Sequence, residues 1–123
     1  MKEELPATEI AQMLVDDKRI TESYVLVREL KLLLKFKEGD FSPTVRVKIY
    51  LTDPQSQMPY HFDTSHYVHT PDQATPYMTS RTMASSETEA IDLAIRSLTS
   101  FVPQAIEGGH VAHTDWFVPN EYF

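Results

Sequence analysis

The chain has 123 residues and a mass of 14.1 kDa, and its 41% apolar and 24% charged residues are typical of one globular domain spanning residues 1–123. A net charge of −7 argues against binding nucleic acid or an anionic membrane through the overall field, because both require a cationic surface. The absence of cysteine excludes disulfides, thiol nucleophiles and metal sites built from thiolates.

A short helix is the first predicted element. Thr8 is placed as its N-cap, and Ile10, Met13 and Leu14 follow at helical spacing before the charged segment "DDKR". This spacing predicts a helix with one apolar side.

An antiparallel hairpin is predicted next. In residues 24–37, "YVLVRELKLLLKFK", large apolar residues alternate with lysine, which predicts a strand, with a helix as the alternative. After the connection "EGDFSPT", the segment "VRVKIYL" alternates cleanly and predicts the second strand. Its inward residues are expected to be Val45, Val47, Ile49 and Leu51.

A third strand is predicted in residues 60–71, "YHFDTSHYVHTP", which hold three of the chain's five histidines. Alternation places His66 on the apolar side of this strand with Phe62 and Val68, whereas His61, Asp63 and His69 lie on the other side. The three histidines are therefore not expected to converge. A surface loop at 70–80 and a short fourth strand near 77–84 are predicted to follow.

The strongest helix signal lies after this loop. Ser86 and Glu89 fit a capping box, Pro103 predicts a kink, and the glycines at 108 and 109 predict a stop near residue 107. The predicted apolar stripe consists of Ile91, Ala94, Ile95, Leu98, Phe101 and Val102.

The C-terminal segment is rich in rings. It holds His113, Trp116, Phe117, Tyr122 and Phe123. Aromatic side chains each bury about 150–250 Å², so the segment either folds back onto its own sheet or docks on a second subunit. The common occurrence of symmetric dimers leads us to expect a homodimer.

These elements predict an α+β two-layer sandwich. An antiparallel meander sheet of three to four strands carries a short N-terminal helix and a long C-terminal helix on one face. The segment "ASSETEAIDLAIRSL", residues 84–98, resembles the strand-to-helix segment of small HicB-type antitoxin domains, in which a "T-x-E-E-A" turn opens the helix. The upstream chain lacks the glycine-rich strand of that family, so the resemblance implies a supersecondary structure and no function.

Three groups of residues are candidate sites. His61, Asp63 and His69 favour acid/base or metal-assisted hydrolysis, although their spacing matches no established metal-ligand motif and no metal is assigned. Tyr67, His69, Tyr77 and Arg81 border the proline-rich loop, where arginine with hydroxyls suits a carboxylate or phosphate; the alternative is an arginine paired with a nearby acid.

The third candidate is a basic sheet face. It consists of Lys31, Lys35, Arg46 and Lys48, with Lys37 and Tyr50 beside them. This face predicts a small anionic ligand, or else the solvated side of an antiparallel sheet.

We therefore expect a small interaction or ligand-binding protein, homodimeric and cytoplasmic, without a cofactor. Nucleic acid and membrane partners are not expected, since no apolar run approaches the length of a membrane span. The alternative is a metal-assisted or histidine-based hydrolytic enzyme that uses His61, Asp63 and His69.

Overall fold

The computed structural model describes residues 5–37 and 41–123. Its elements are α1 (Ala7–Asp16), β1 (Val25–Leu33), β2 (Thr44–Leu51), β3 (Tyr60–Thr64), β4 (His66–Val68), β5 (Met83–Ala84), α2 (Glu87–Thr99), α3 (Val102–Glu107), a 3₁₀ turn (Thr114–Trp116) and β6 (Phe117–Pro119). An antiparallel sheet has the order β1, β2, β3, β5, and β4 pairs with β6 in a second sheet. The predicted α+β class and antiparallel meander are confirmed.

The first hairpin forms as predicted, and the helix alternative for residues 24–37 is wrong. Strand β1 pairs antiparallel with β2 from Leu33 opposite Thr44 to Val25 opposite Leu51, with a bulge between Leu26 and Arg28. The inward residues of β2 are 2% exposed or less because every second side chain of a strand points to the same face. The predicted connection between the strands includes residues 38–40, which lie outside the described residues.

The predicted third strand is divided into two. Tyr60–Thr64 continues the main sheet, and the predicted alternation holds there, with Phe62 and Thr64 buried. At Ser65 the chain changes partner: its N–H donates to the main-chain oxygen of Arg46, and residues 66–68 then pair with β6. The fourth strand is shorter than predicted, because only Met83 and Ala84 pair with β3.

The long helix begins at its predicted cap. Ser86 Oγ accepts the main-chain N–H of Glu89 at 3.1 Å. The Glu89 carboxylate binds Ser85 and Arg81 instead of returning to Ser86, so the capping box is only half formed. Pro103 lies in the first turn of α3, which confirms the predicted kink, and Gly109 adopts φ +94° after the helix ends.

Small residues of the helices face the sheet. Buried along α2 and α3 are Ala90, Ala94, Leu98, Val102 and Ala105, which form one core with the inward residues of β2, Phe62 and Val68. The alanines allow the helix backbone to lie close to the sheet. The predicted stripe is therefore correct in direction but omits Ala90 and Ala105.

The N-terminal helix forms with a different start and a different buried side. Its N-cap is Pro6, whose carbonyl accepts the N–H groups of Glu9 and Ile10, so the prediction of Thr8 as N-cap is wrong. Ala11 is fully buried, whereas Met13 is 57% exposed. No helix of the described residues is long and apolar enough to cross a membrane.

The aromatic segment folds back onto its own chain. Trp116 and Phe117 are 7% and 6% exposed and contact the ring of Phe41. The side chain of Asn120 adds a hydrogen bond to the main-chain oxygen of Thr64 at 2.9 Å. Docking of Trp116 and Phe117 on a second subunit is therefore wrong, whereas Tyr122 is 92% exposed.

Candidate functional site

The face of the main sheet opposite the buried side chains of β2 is here called the open face. Its residues are exposed or half-buried and include Glu29, Lys31, Arg46, Lys48, Tyr50, His61 and Asp63. At one end of this face, four residues line a depression of about 230 Å³. These four residues, named the open-face cluster, are Tyr24, Tyr50, His61 and Asp63.

Strand pairing assembles the cluster. In the antiparallel register of β2 and β3, Tyr50 lies opposite His61 and Lys48 lies opposite Asp63. Residues directly opposite each other in such a pair share a face of the sheet. Tyr24 lies one residue before β1, and that strand places it beside Tyr50. The register therefore unites residues from three separate segments of the chain.

The three rings of the cluster contact one another. The ring centroids of Tyr24 and Tyr50 are 6.0 Å apart with an interplanar angle of 82°, and those of Tyr24 and His61 are 5.6 Å apart at 63°. The rings of Tyr50 and His61 are 6.1 Å apart at 36°. These distances lie within the range of favourable aromatic pairs, so the rings support one another in an otherwise exposed place.

A carboxylate completes the cluster. His61 Nε2 lies 3.2 Å from Asp63 Oδ1. An ionised carboxylate only accepts hydrogen bonds, so the imidazole donates its Nε2–H to Asp63. This hydrogen bond orients the His61 ring and leaves the second oxygen of Asp63 available to another group.

The tyrosines of the cluster stand in a negative potential. The hydroxyl of Tyr24 donates to Glu22 Oε2 at 3.1 Å, and this hydrogen bond, followed by burial and the charges of Glu22 and Asp63, raises the pKa of Tyr24. Burial, followed by the charges of Asp63 and Glu29, raises the pKa of Tyr50. Both phenols are therefore uncharged at neutral pH, and the carboxylates around them favour a positive ligand.

The lysine nearest to Asp63 is directed elsewhere. Lys48 Nζ lies 2.6 Å from the main-chain oxygen of Phe123 and 4.2 Å from the centroid of its ring. The same nitrogen is 4.0 Å from Glu29 Oε1. The end of the aromatic segment thus engages Lys48, which leaves Asp63 with its bond to His61.

The predicted basic face is divided and partly neutralised. Lys31 lies opposite Arg46, and Glu29 Oε2 lies 3.6 Å from the Arg46 guanidinium. Lys35 follows the end of β1 and borders a groove of about 390 Å³ against α3 rather than joining Arg46 and Lys48 in the sheet.

The predicted loop site separates into structural contacts. The Arg81 guanidinium pairs with Glu89 at 2.6 Å, and the ring of Tyr77 packs 4.8 Å from that of Phe101. His69 Nε2 lies 2.9 Å from the main-chain oxygen of Gln73, to which it donates. Arg81 thus pairs with a nearby acid, as in one of the two sequence alternatives, and a carboxylate or phosphate ligand at this loop stays a prediction.

His69 does not complete a metal-ligand set with His61 and Asp63. In the described ranges 5–37 and 41–123, no three histidine, aspartate or glutamate side chains gather closely enough to hold a metal ion.

A second depression of about 230 Å³ lies near the loop. It is bordered by Asp63, His66, Tyr67 and Tyr77. His66 Nδ1 lies 2.7 Å from Ser65 Oγ, and the same hydroxyl oxygen accepts the main-chain N–H of Arg46. Burial lowers the pKa of His66 and therefore favours the uncharged form of its imidazole.

No protein-family model, curated protein or solved structure matches this chain. The chemistry of the open-face cluster is therefore the basis for a functional proposal, because a fold alone does not define an activity.

Tyr24 is the site residue that sequence reasoning missed. It opens the segment "YVLVREL", in which the alternation that predicts a strand begins only after it. The sequence pattern places Tyr50 with the lysines of the basic face, whereas the structure places it opposite His61. The register of β2 and β3 unites Tyr50 with His61, and the register of β1 and β2 brings Tyr24 to them. Neither register is specified by a local pattern.

Proposed function

We propose that this protein is a small ligand-binding protein and that its open-face cluster binds a ligand carrying an ammonium group. The observation that supports this proposal is the convergence of three rings and one carboxylate on a single depression. A cation near the face of an aromatic ring is attracted by the ring quadrupole, and cages of aromatic rings bind methylated ammonium groups in this way.

Charge supports a cation over an anion at this place. Asp63 contributes a carboxylate to the depression, and Glu22 lies within hydrogen-bond distance of Tyr24. The chain as a whole carries a net charge of −7, which raises the local concentration of cations around it. The anionic ligand predicted for Lys31, Lys35, Arg46 and Lys48 stays a prediction, and Glu29 beside Arg46 makes it the weaker proposal.

The size of the depression limits the ligand. Its volume of about 230 Å³ suits a head group rather than a whole drug-sized molecule, since ligand pockets of that kind occupy about 300–1,000 Å³. A quaternary ammonium or a methylated amine at the end of a longer chain fits this description. The rest of such a ligand would extend over the open face.

Calorimetric titration with two ligands of the same shape tests the proposal. Choline carries a quaternary ammonium, and 3,3-dimethylbutan-1-ol is its uncharged counterpart. We expect choline to bind at least about tenfold more tightly, because only the cation gains from the rings and from Asp63. Equal affinity for the two compounds would contradict the proposal.

The variant Asp63→Asn separates the carboxylate from the shape of the site. It keeps the volume of the side chain and a hydrogen-bond acceptor for His61, and it removes the charge. We expect its affinity ratio for choline over the alcohol to fall, because only the cation–π attraction of the rings still favours the cation. Glu121→Gln, at an exposed position, is the matched control and should retain the full preference.

A second candidate function uses the same pair of residues. The hydrogen bond between His61 Nε2 and Asp63 Oδ1 is the arrangement that orients an imidazole for general acid/base catalysis. Hydrolysis of an activated ester that is lost in His61→Gln and retained in His110→Gln would support it. His69 binds the main-chain oxygen of Gln73, so the hydrolytic alternative is proposed for His61 and Asp63 without it. The cytoplasmic location stays a prediction.

A further inference from the structure

Strand β1 is a long edge strand. It spans Val25–Leu33, pairs with β2 on one side, and is the first strand in the order of the main sheet. Within residues 5–37 and 41–123, no main-chain group on the other side is hydrogen-bonded to it. Such an edge presents N–H and C=O groups that another strand can pair with.

The hydrogen-bond pattern identifies which residues present these groups. The N–H of Leu34 donates to the main-chain oxygen of Pro43, so this position points toward β2. Hydrogen-bonded and non-hydrogen-bonded pairs alternate along an antiparallel ladder. Residues 30 and 32 therefore also point toward β2, and the groups of Glu29, Lys31 and Leu33 point toward the free edge.

We propose that two copies of this chain pair along β1 in antiparallel fashion, with Glu29 of each copy opposite Lys31 of the other. Leu30 then lies on the two-fold axis, and both Glu29–Lys31 pairs lie on the open face. Each of these pairs exchanges both main-chain N–H···O bonds, since all the groups involved point outward. The two four-stranded sheets become one continuous sheet.

Charge selects this register from its neighbours. The main-chain groups at the free edges of the two copies can pair only in registers that differ from this one by an even number of residues. The nearest alternatives are therefore shifted by two residues. One such shift places Glu29 opposite Glu29, and the other places Lys31 opposite Lys31. Like charges directly opposite destabilise a strand pair, whereas opposite charges stabilise it. The order Glu29, Leu30, Lys31 is thus complementary to itself in a single register.

Exposed apolar residues at the two ends of β1 agree with this pairing. Leu33 is 64% exposed and Leu26 is 50% exposed, although both belong to the main sheet. In the proposed register, Leu33 of one copy comes opposite the 26–27 segment of the other. The competing explanation is that Lys31 and the bulge between Leu26 and Arg28 protect the edge of a monomer.

Charge reversal with mixing tests the pairing. In Glu29→Lys both charged positions are positive, and in Lys31→Glu both are negative, so each variant repels a copy of itself. The two variants together restore opposite charges in both pairs. Sedimentation velocity of each variant alone, of the equimolar mixture, and of the double variant Glu29→Lys/Lys31→Glu measures the association state.

We expect the wild type and the double variant to be dimers. Each single variant should associate at least about tenfold more weakly, and the mixture should regain a dimer. Lys18→Glu, at an exposed position outside β1, is the matched control and should behave as wild type. Circular dichroism verifies that each variant is folded, and the mixture also tests this, because two unfolded variants would not combine.

Two results would overturn the proposal. One is a wild type that stays monomeric at about 100 µM, a concentration above the dissociation constant of ordinary specific dimers. The other is a dimer whose dissociation constant does not change in the single reversals. This pairing does not involve the residues of the open-face cluster, so its failure would leave the ligand proposal standing, and the converse also holds.

Discussion

Tyr50 and His61 lie directly opposite each other across β2 and β3, with their ring centroids 6.1 Å apart. Their pairing brings a ring from each strand to the same end of the open face, where Tyr24 and Asp63 complete the cluster. A change at either position should therefore alter ligand binding without disturbing the core on the other side of the sheet.

The first prediction concerns the ring of Tyr50. Tyr50→Leu removes one aromatic face and retains an apolar side chain in the strand. Because a cation–π contact contributes about 0.5–2 kcal/mol, we expect choline affinity to fall by about twofold to thirtyfold. Tyr122→Leu, which changes a tyrosine that is 92% exposed, should bind choline like wild type in the same calorimetric titration.

The second prediction concerns the aromatic segment. Trp116 is 7% exposed, so Trp116→Ala leaves a cavity and should lower the free energy of unfolding by about 3–5 kcal/mol. Tyr122→Ala should change it by less than about 0.5 kcal/mol. Urea denaturation of the two variants measures this difference. Equal stability would show that the segment does not pack on its own chain.

The third prediction concerns the cap of α2. Ser86→Ala removes the acceptor of the Glu89 N–H and should cost about 1 kcal/mol of stability. Ser80→Ala, in an exposed loop position, is the matched control and should be close to neutral. Thermal unfolding followed by circular dichroism distinguishes the two, and a neutral Ser86→Ala would contradict the assigned cap.

The fourth prediction concerns pH. Burial lowers the pKa of His66 below its ordinary value of 6.5, so the unfolded chain binds a proton at this residue more readily than the folded protein. The contribution of His66 to stability is therefore fully present above about pH 6.5 and is lost as the pH falls toward the lowered folded pKa.

His66→Gln should remove this part of the pH dependence. Its free energy of unfolding is expected to fall less than that of wild type between about pH 7 and pH 5, as measured by urea denaturation at several pH values. His110→Gln, at an exposed residue paired with Asp72, is the control for a general effect of losing a histidine. A wild-type slope in His66→Gln would refute the assignment.

Local sequence patterns predict most of the helices and strands. The alternation of Val45, Val47 and Ile49 and the Ser86 cap each depend on residues near one another in the sequence, and both appear as predicted. The change of sheet at Ser65 could not be predicted in this way, because it depends on β6, which lies about fifty residues further along the chain.

The candidate site was only partly predictable for the same reason. His61 and Asp63 are two residues apart in one strand, and their shared face follows from the period of a strand. Tyr24 and Tyr50 join them through pairing between strands, which no local pattern specifies. His69 and Arg81 are close in sequence, which predicts a shared site, and the structure gives each a separate partner.

The most direct test of the ligand proposal is nuclear magnetic resonance of the ¹⁵N-labelled protein during titration with choline chloride, with sodium chloride as the control for ionic strength. We predict saturable shifts concentrated at Tyr24, Tyr50, His61 and Asp63, with smaller changes along the adjoining strands. Shifts spread evenly over the surface, or the same shifts in sodium chloride, would contradict it.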